Sequence, residues 1–282
     1  FAVVAFSASA TRADLDEVRQ RGTLRHLGIP YANFVTGAGD GMDIEIMQRF
    51  ARHLGVRYQY VKTEWDRIFA DLTGKEVKIK GAAVEFLGAV PVKGDLAANG
   101  LTVLPWREKI VDFSRPLFPN QIWLIARSDS PVHPIKPTGN LQKDIEKVKS
   151  FIRGRSLLGK AGTCLDPAMY ALQGIPAKTV LFPGSLNDMA PALISGKADL
   201  LLLDLPDSLV ALQKWPGDIK VIGPISERQV MSAAFSKDSP RLRAEFNLFL
   251  KKSLRDGSLL ALAKKYYPYV LHYYPDFYKV KP

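Results

Sequence analysis

Apolar positions along this chain change period several times, and the changes outline alternating strands and helices. After Gly22 the run TLRHLGIPY is short and apolar enough for a strand. Gly41 then opens MDIEIMQRFARHL, where Met42, Ile46, Met47, Phe50 and Leu54 recur at helical spacing and Gly55 supplies the stop. Val56 to Val61 (VRYQYV) alternates and predicts a strand, and Glu64 to Leu72 (EWDRIFADL) returns to helix. Strand–helix–strand–helix is the rhythm of a parallel sheet covered by helices. Thr73 to Lys93, with Gly74, Gly81, Gly88 and Pro91, interrupts that rhythm as an insertion, either a hairpin or a loop.

Two places further on echo each other. Gly94 to Val103 reads as a buried strand entering a glycine turn, and Gly196-Lys197-Ala198-Asp199 leads into Leu200 to Leu203 and then Asp204. Open parallel sheets bind ligands beyond the carboxyl ends of their strands. Two such ends, one in each of two lobes, suit a shared cleft. Ser128 to Asn140, with three prolines, reads as a loop, and Lys143 to Ile152 as a helix. Asp166 is placed to cap a turn opened by Pro167. Ser185 with Asp188 starts a helix that Gly196 ends. Near the C-terminus Ser239-Pro240 starts a helix with Leu242, Phe246, Phe249 and Leu250 inward, Gly257 breaks it, and a second helix runs to Tyr266.

Composition narrows the class. At 282 residues the chain suggests two domains, and 47% hydrophobic with 24% charged residues excludes disorder, collagen and a coiled-coil rod. No apolar run reaches the length of about eighteen residues that a spanning helix needs. The single cysteine, Cys164, excludes an intramolecular disulfide, a cysteine zinc site and an iron–sulfur cluster. The net charge is +11. From Arg241 onward nine Lys/Arg stand against three Asp/Glu, yet no nucleic-acid motif accompanies the excess, so no nucleic-acid partner is expected. Phe1 to Phe6 are apolar and Ala8-Ser9-Ala10 fits a cleavage site. Residues 1–10 therefore read as the end of a secretory signal peptide and predict export.

From Gly100 to Ser114 the run GLTVLPWREKIVDFS resembles the family 3 periplasmic solute-binding proteins that serve ABC importers of polar amino acids. Gly100, Thr102, Arg107 and Asp112-Phe113-Ser114 carry the resemblance. GMDIEIMQRFARHLGV resembles the family's first helix, GKADLLLLD its second-lobe strand ending in Asp204, and SPRLRAEFNLFLKKSLRDGSLLALAKKYY its closing helices. The resemblance implies an α/β fold of two lobes, each a mainly parallel sheet flanked by helices. Lobe 1 would comprise 22–120 and 233–282 and lobe 2 121–232, with hinge crossings near 118–123 and 228–233. It also implies a periplasmic monomer that captures a small amino acid-like or carboxylate ligand by hinge closure and delivers it to a membrane ABC permease, without a cofactor.

The site residues implied are Arg107, Asp204, Thr102, Gly100, Thr163, Gly162, Trp65 and Tyr31. Arg107 can hold a carboxylate through two parallel charge-assisted hydrogen bonds that a lysine would not reproduce. Thr102 offers a hydroxyl and an amide to the same oxygens, and the Gly162-Thr163 turn offers further N–H donors from the other lobe. Asp204 is placed to accept from an ammonium, with the Gly100 carbonyl as a second acceptor. Trp65 and either Tyr31 or Phe34 would wall the ligand side chain. Leu104 and Trp106 replace polar residues of the family pattern, which, with the Thr73–Lys93 insertion, leaves a modified amino acid or another small carboxylate open as the ligand.

Other chemistry finds little support. His26, His53, His133 and His272 lack any paired spacing, so no metal site is expected. Cys164 lies near a helix start but has no identifiable partner and reads as a small buried thiol. Lys160 reads as a solvated lysine. Gly37-Ala38-Gly39-Asp40-Gly41 lacks the P-loop lysine and the dinucleotide spacing and reads as a turn. Two alternatives stay in view: an enzyme on the same fold resembling the cyclohexadienyl dehydratases, and a ligand-sensing module. The transglycosylases that carry this lobe pair before a catalytic domain are not expected to be matched in full.

Overall fold

The computed structural model describes residues 14–80, 83–172 and 174–279; the signal-peptide reading of 1–10 lies outside the described residues. Two five-stranded sheets organise the chain. The first has the order Arg57–Lys62, Thr23–Gly28, Leu96–Ala97, Ala234–Ser236, Val111–Phe113. The second has the order Lys178–Leu181, Ser156–Gly159, Leu200–Asp204, Ile122–Arg127, Ile219–Pro224.

The two sheets share one plan. Their first three strands are parallel, and the fourth runs antiparallel to both its neighbours. Four strands of each sheet therefore point the same way. The reversed strand is in both cases the first one laid down after the chain passes between sheets: Ile122–Arg127 follows Phe118–Asn120, and Ala234–Ser236 follows Gln229–Met231. Those two preceding segments pair antiparallel as a separate ribbon, Asn120 opposite Gln229 and Phe118 opposite Met231. Thr102 bridges to Met231 at the ribbon's end.

Burial follows the hydrophobic pattern. Leu200 to Leu203 are all fully buried, as are Ile122, Leu124, Ile125 and Ala126 beside them, because helices cover both faces of the sheet. Helix Met42–Leu54 buries all five of its periodic apolar residues and closes on Gly55 in the left-handed conformation. Phe50 packs edge-on to Phe246 at 4.9 Å on helix Pro240–Arg255. Helix Met42–Leu54 also buries Asp43, whose carboxylate accepts from the Gly100 amide at 2.8 Å. That bond ties the glycine turn to the helix behind it.

One expectation changes, and one open alternative is decided. The segment predicted as helix from Glu64 is a turn up to Arg67, and helix proper spans only Ile68–Thr73. Tertiary packing buries Ile68, Phe69 and Leu72 and leaves Glu64 and Asp66 outside, so no continuous apolar face extends back to residue 64. The insertion resolves as a hairpin, Lys75–Lys80 against Ala83–Ala89, with Phe86 and Leu87 exposed.

Gly100 has a φ of +67°, and a Cβ there would lie 2.5 Å from the Phe34 ring. That ring is itself fully buried, edge-on to Phe118 at 5.2 Å and tilted on Tyr267 at 5.0 Å, so it has little room to move away. Gly100→Ala is expected to destabilise the protein by about 2–4 kcal/mol, from left-handed backbone strain plus overpacking. Chemical denaturation monitored by circular dichroism measures it; an unchanged midpoint would refute the account.

Candidate functional site

The carboxyl ends of the two sheets meet in a buried polar cluster. On the first side, strand Leu96–Ala97 leads through the Gly100 turn to Thr102 and the short helix Pro105–Glu108. Pro105 takes the first helical position, where its fixed φ suits the start of a helix, and Arg107 on this turn is buried. Arg107 is only 1% exposed. Its Nη1 donates to the Thr102 carbonyl at 2.9 Å, and its guanidinium lies 5.0 Å from the Trp106 ring centroid and 5.7 Å from that of Phe69. Among the described residues its Nε has no hydrogen-bond partner. Burial pulls the guanidinium below its ordinary pKa, opposed by Cys164 and Tyr170 and then by Asp204 and Tyr31.

On the second side, strand Leu200–Asp204 ends at Asp204, also 1% exposed, which caps helix Leu205–Lys214 by accepting from the Asp207 amide at 3.2 Å. Both its oxygens accept from the Tyr31 hydroxyl, at 2.5 and 2.6 Å. Cys164 Sγ lies 3.7 Å away. Desolvation lifts Asp204 to about 6, opposed by the Tyr31 hydrogen bond, the Asp207 amide, Cys164 and Arg107. Asp207, buried beside it, is raised well above the carboxylate range by desolvation and by Asp204.

Among the residues singled out from the sequence, Arg107, Asp204, Thr102 and Tyr31 meet in this cluster. Thr102 is fully buried, its Oγ1 accepting from Asn120 at 3.1 Å. Gly100 packs its α-carbon on Phe34 and spends its amide on Asp43. Trp65 is half-buried and meets Tyr31 edge-on at 5.8 Å, whereas Phe34 stacks on the other side of Tyr31 at 6.2 Å within the core. Thr163 is buried but locally satisfied, donating to Lys160 and accepting from the Leu165 amide. Gly162 is exposed and its amide turns to Asp166, so the structure does not bring it into the cluster. Lys160 differs from its expected solvated role: the ammonium donates to the Gly184 carbonyl at 2.7 Å.

Besides Asp207, several polar residues escaped the sequence reading. Asn120 on the crossing ribbon is fully buried and links Thr102, the Leu205 amide and Gln229. Tyr170 donates to the Cys164 carbonyl. Asn187 accepts from the Ala32 amide at 3.0 Å, a second contact between the sides, where Ala32 adopts a φ of +44°. None lies on a periodic apolar face, which is where the sequence carries its signal. Asn99, beside Gly100, is fully buried, and among the described residues neither of its amide atoms is paired.

The cluster offers an anion-holding cation and a cation-holding anion, but little for covalent catalysis. Burial and the neighbouring Asp204 push the Cys164 thiol up to about 12, contrary to the lowering a helix start would produce, so it stays protonated. His26 is held down near 4 by burial, with the Ala98 carbonyl 2.6 Å and the Tyr58 hydroxyl 2.8 Å from its ring nitrogens. Among the described residues no group of three or more His, Cys, Asp or Glu is arranged to hold a metal ion.

A profile of the bacterial extracellular solute-binding proteins, family 3, matches residues 89–269. The chain belongs to this family. Among curated relatives, the L-cystine-binding protein TcyJ of Escherichia coli (strain K12) is 25% identical over 261 residues, 90% of this chain and 85% of that protein. Membrane-bound lytic murein transglycosylase F of Desulfosudis oleivorans is also 25% identical, over 231 residues; the match takes in 80% of this chain but only 44% of that protein. Among solved structures, a variant of ArgBP from T. maritima superposes with a TM-score of 0.70 at 23% identity, covering 90% of this chain and 99% of that one. An ancestral amino acid-binding protein, described as a precursor of cyclohexadienyl dehydratase, gives 0.67 at 25% identity, covering 90% and 98%. The two-lobed α/β fold is shared. No helix among the described residues is long and apolar enough to cross a membrane.

Proposed function

We propose that this family member captures a free α-amino acid between its two lobes and hands it to a membrane ABC permease, acting in the periplasm as a monomer and without chemical turnover. The observation that carries this reading is the pairing of Arg107 and Asp204, buried on opposite sides of one cluster yet not bonded to each other. A buried guanidinium with a free Nε is costly unless an anion neutralises it. The ligand carboxylate would take Arg107 with the Thr102 amide, and its ammonium would take Asp204. The cystine-binding relative supports an amino acid as the ligand class.

In this reading the lobes are 22–120 with 233–282, and 121–232. The ribbon of Phe118–Asn120 with Gln229–Met231 is the hinge, and closure is coupled to the ligand bridging both sides. Calorimetric titration with a panel of amino acids and small carboxylates tests this. A stoichiometric binder with a Kd in the micromolar range or below is expected. Incubation with prephenate or arogenate separates the enzymatic alternative, since product formation would overturn the absence of turnover.

The pH dependence follows from Asp204. Because burial lifts its pKa to about 6, the carboxyl takes up a proton as pH falls through that value. An ammonium ligand needs the ionised form, so binding then releases a proton. Affinity is expected to weaken by about tenfold per pH unit below 6 and to level off above it. Asp204→Asn should bind weakly at every pH and lose this dependence. A flat wild-type profile between pH 4.5 and 7, a span that crosses the titration of this carboxyl, would remove Asp204 from the site.

A further inference from the structure

A second cavity lies away from the Arg107–Asp204 cluster, between helix Pro240–Arg255, the crossing ribbon and the C-terminal segment. Its volume is about 850 Å³, within the range of about 300–1,000 Å³ usual for small-molecule sites. Arg115, Arg228, Lys251 and Arg255 line it, and among the described residues none of these four is in an ion pair. Lys279 also lines it but is paired at 2.6 Å with Asp276, the one acidic residue among its described lining residues. Four unneutralised cations around one hollow repel each other, a cost that an anion in their midst reverses.

The remaining lining is aromatic and apolar. Tyr273, Tyr274 and Phe277 face the cavity from the C-terminal segment, with Leu250 and Leu254 opposite. The rings are held in place. Tyr273 tilts on Trp123 at 5.1 Å, the Tyr274 hydroxyl donates to Gln121 at 3.3 Å, and the neighbouring Tyr278 donates to the Leu117 carbonyl at 3.1 Å. Arg228 sits 5.5 Å from the Tyr274 ring centroid, a cation already laid on a π-face. Cations beside fixed rings match a molecule with an anionic group on a flat apolar body. A bare inorganic anion would leave the rings unused.

We infer that this cavity is a second ligand site, separate from the cleft, for a small aromatic anion such as an aryl phosphate or aryl carboxylate. Pro119 and Gln229, on the two strands of the crossing ribbon, form part of its wall, so its occupant would touch the segment through which the two lobes are joined.

Phenyl phosphate is the probe. Calorimetric titration of the full chain is expected to give a Kd of about 1 mM or tighter. Arg228→Glu combined with Arg255→Glu is expected to weaken it by more than about tenfold. Both side chains are exposed, so the variant should fold, and circular dichroism checks this; Arg115→Gln with Lys251→Gln is the milder pair if it does not. Arg107→Met should leave phenyl phosphate binding unchanged. Inorganic phosphate binding as tightly as phenyl phosphate would mean only diffuse attraction to a basic surface and would overturn the proposal. So would the absence of phenyl phosphate binding, its persistence in both charge variants, or its loss in Arg107→Met.

Discussion

Arg107→Met is expected to lose amino-acid binding by at least about thirtyfold while the ligand-free protein melts at the same temperature or higher. The two halves of this result share one cause. In the proposed complex the guanidinium and the ligand carboxylate form a desolvated charge pair, and removing one partner of such a pair costs about 2–5 kcal/mol. Without that carboxylate Arg107 is a fully buried cation that, among the described residues, leaves its Nε unpaired and donates one hydrogen bond, to the Thr102 carbonyl. Exchanging such a charge for an apolar side chain of similar length is often neutral or stabilising. Methionine can lie against the Trp106 and Phe69 rings that flank the guanidinium now. Calorimetry and a thermal melt on the same preparation measure both halves. If binding survives within about tenfold, the ligand is held elsewhere. If binding and stability fall together, Arg107 is structural.

Tyr31→Phe is expected to tighten amino-acid binding by about tenfold. The Tyr31 hydroxyl holds both Asp204 oxygens, the group proposed to receive the ligand ammonium. An incoming ligand must therefore displace the phenol, and a hydrogen bond to a charged partner contributes about 1.5–3 kcal/mol. The bond also ties the two lobes together, so the self-bridged conformation competes with the ligand-bound one. Phenylalanine keeps the ring against Trp65 and Phe34 and removes only the competing donor. The ligand-free variant should show a larger radius of gyration in small-angle scattering and close again with ligand. Weaker binding by the variant would mean that the phenol belongs to the bound state as a ligand contact, and the competition account would fall.

The elements most legible in the sequence are those that close their own local logic. Helix Met42–Leu54 carries its buried stripe, its stop at Gly55 and its opening at Gly41 within one segment. Leu200–Asp204 could be read because a run of leucines after a turn has one comfortable place, the middle of a covered sheet. Glu64 to Arg67 could not be read so, since its acidic residues fit a first helical turn equally well, and what excluded helix was the packing of Ile68 and Phe69. Arg107 and Asp204 could be named one by one from strand ends and motif. Gly162 is named instead as part of a turn that could offer amide donors, and it lies outside the cluster because nothing local tells whether a turn faces inward or out.

What the sequence by itself determined is therefore the elements whose pattern and stops are local and the residue types at two strand ends, since periodicity, caps and glycine turns act over a few neighbouring residues. The two-lobed class came from the strand–helix rhythm together with the family resemblance. Only the tertiary structure decided which polar groups share a buried space. The Tyr31 hydroxyl reaches Asp204 across 173 residues of chain, and Asn120 joins Thr102 to Leu205 across the ribbon. Such contacts depend on how two whole sheets are set against each other. That arrangement is fixed by the summed burial of both cores, in which no short stretch of sequence has a deciding share.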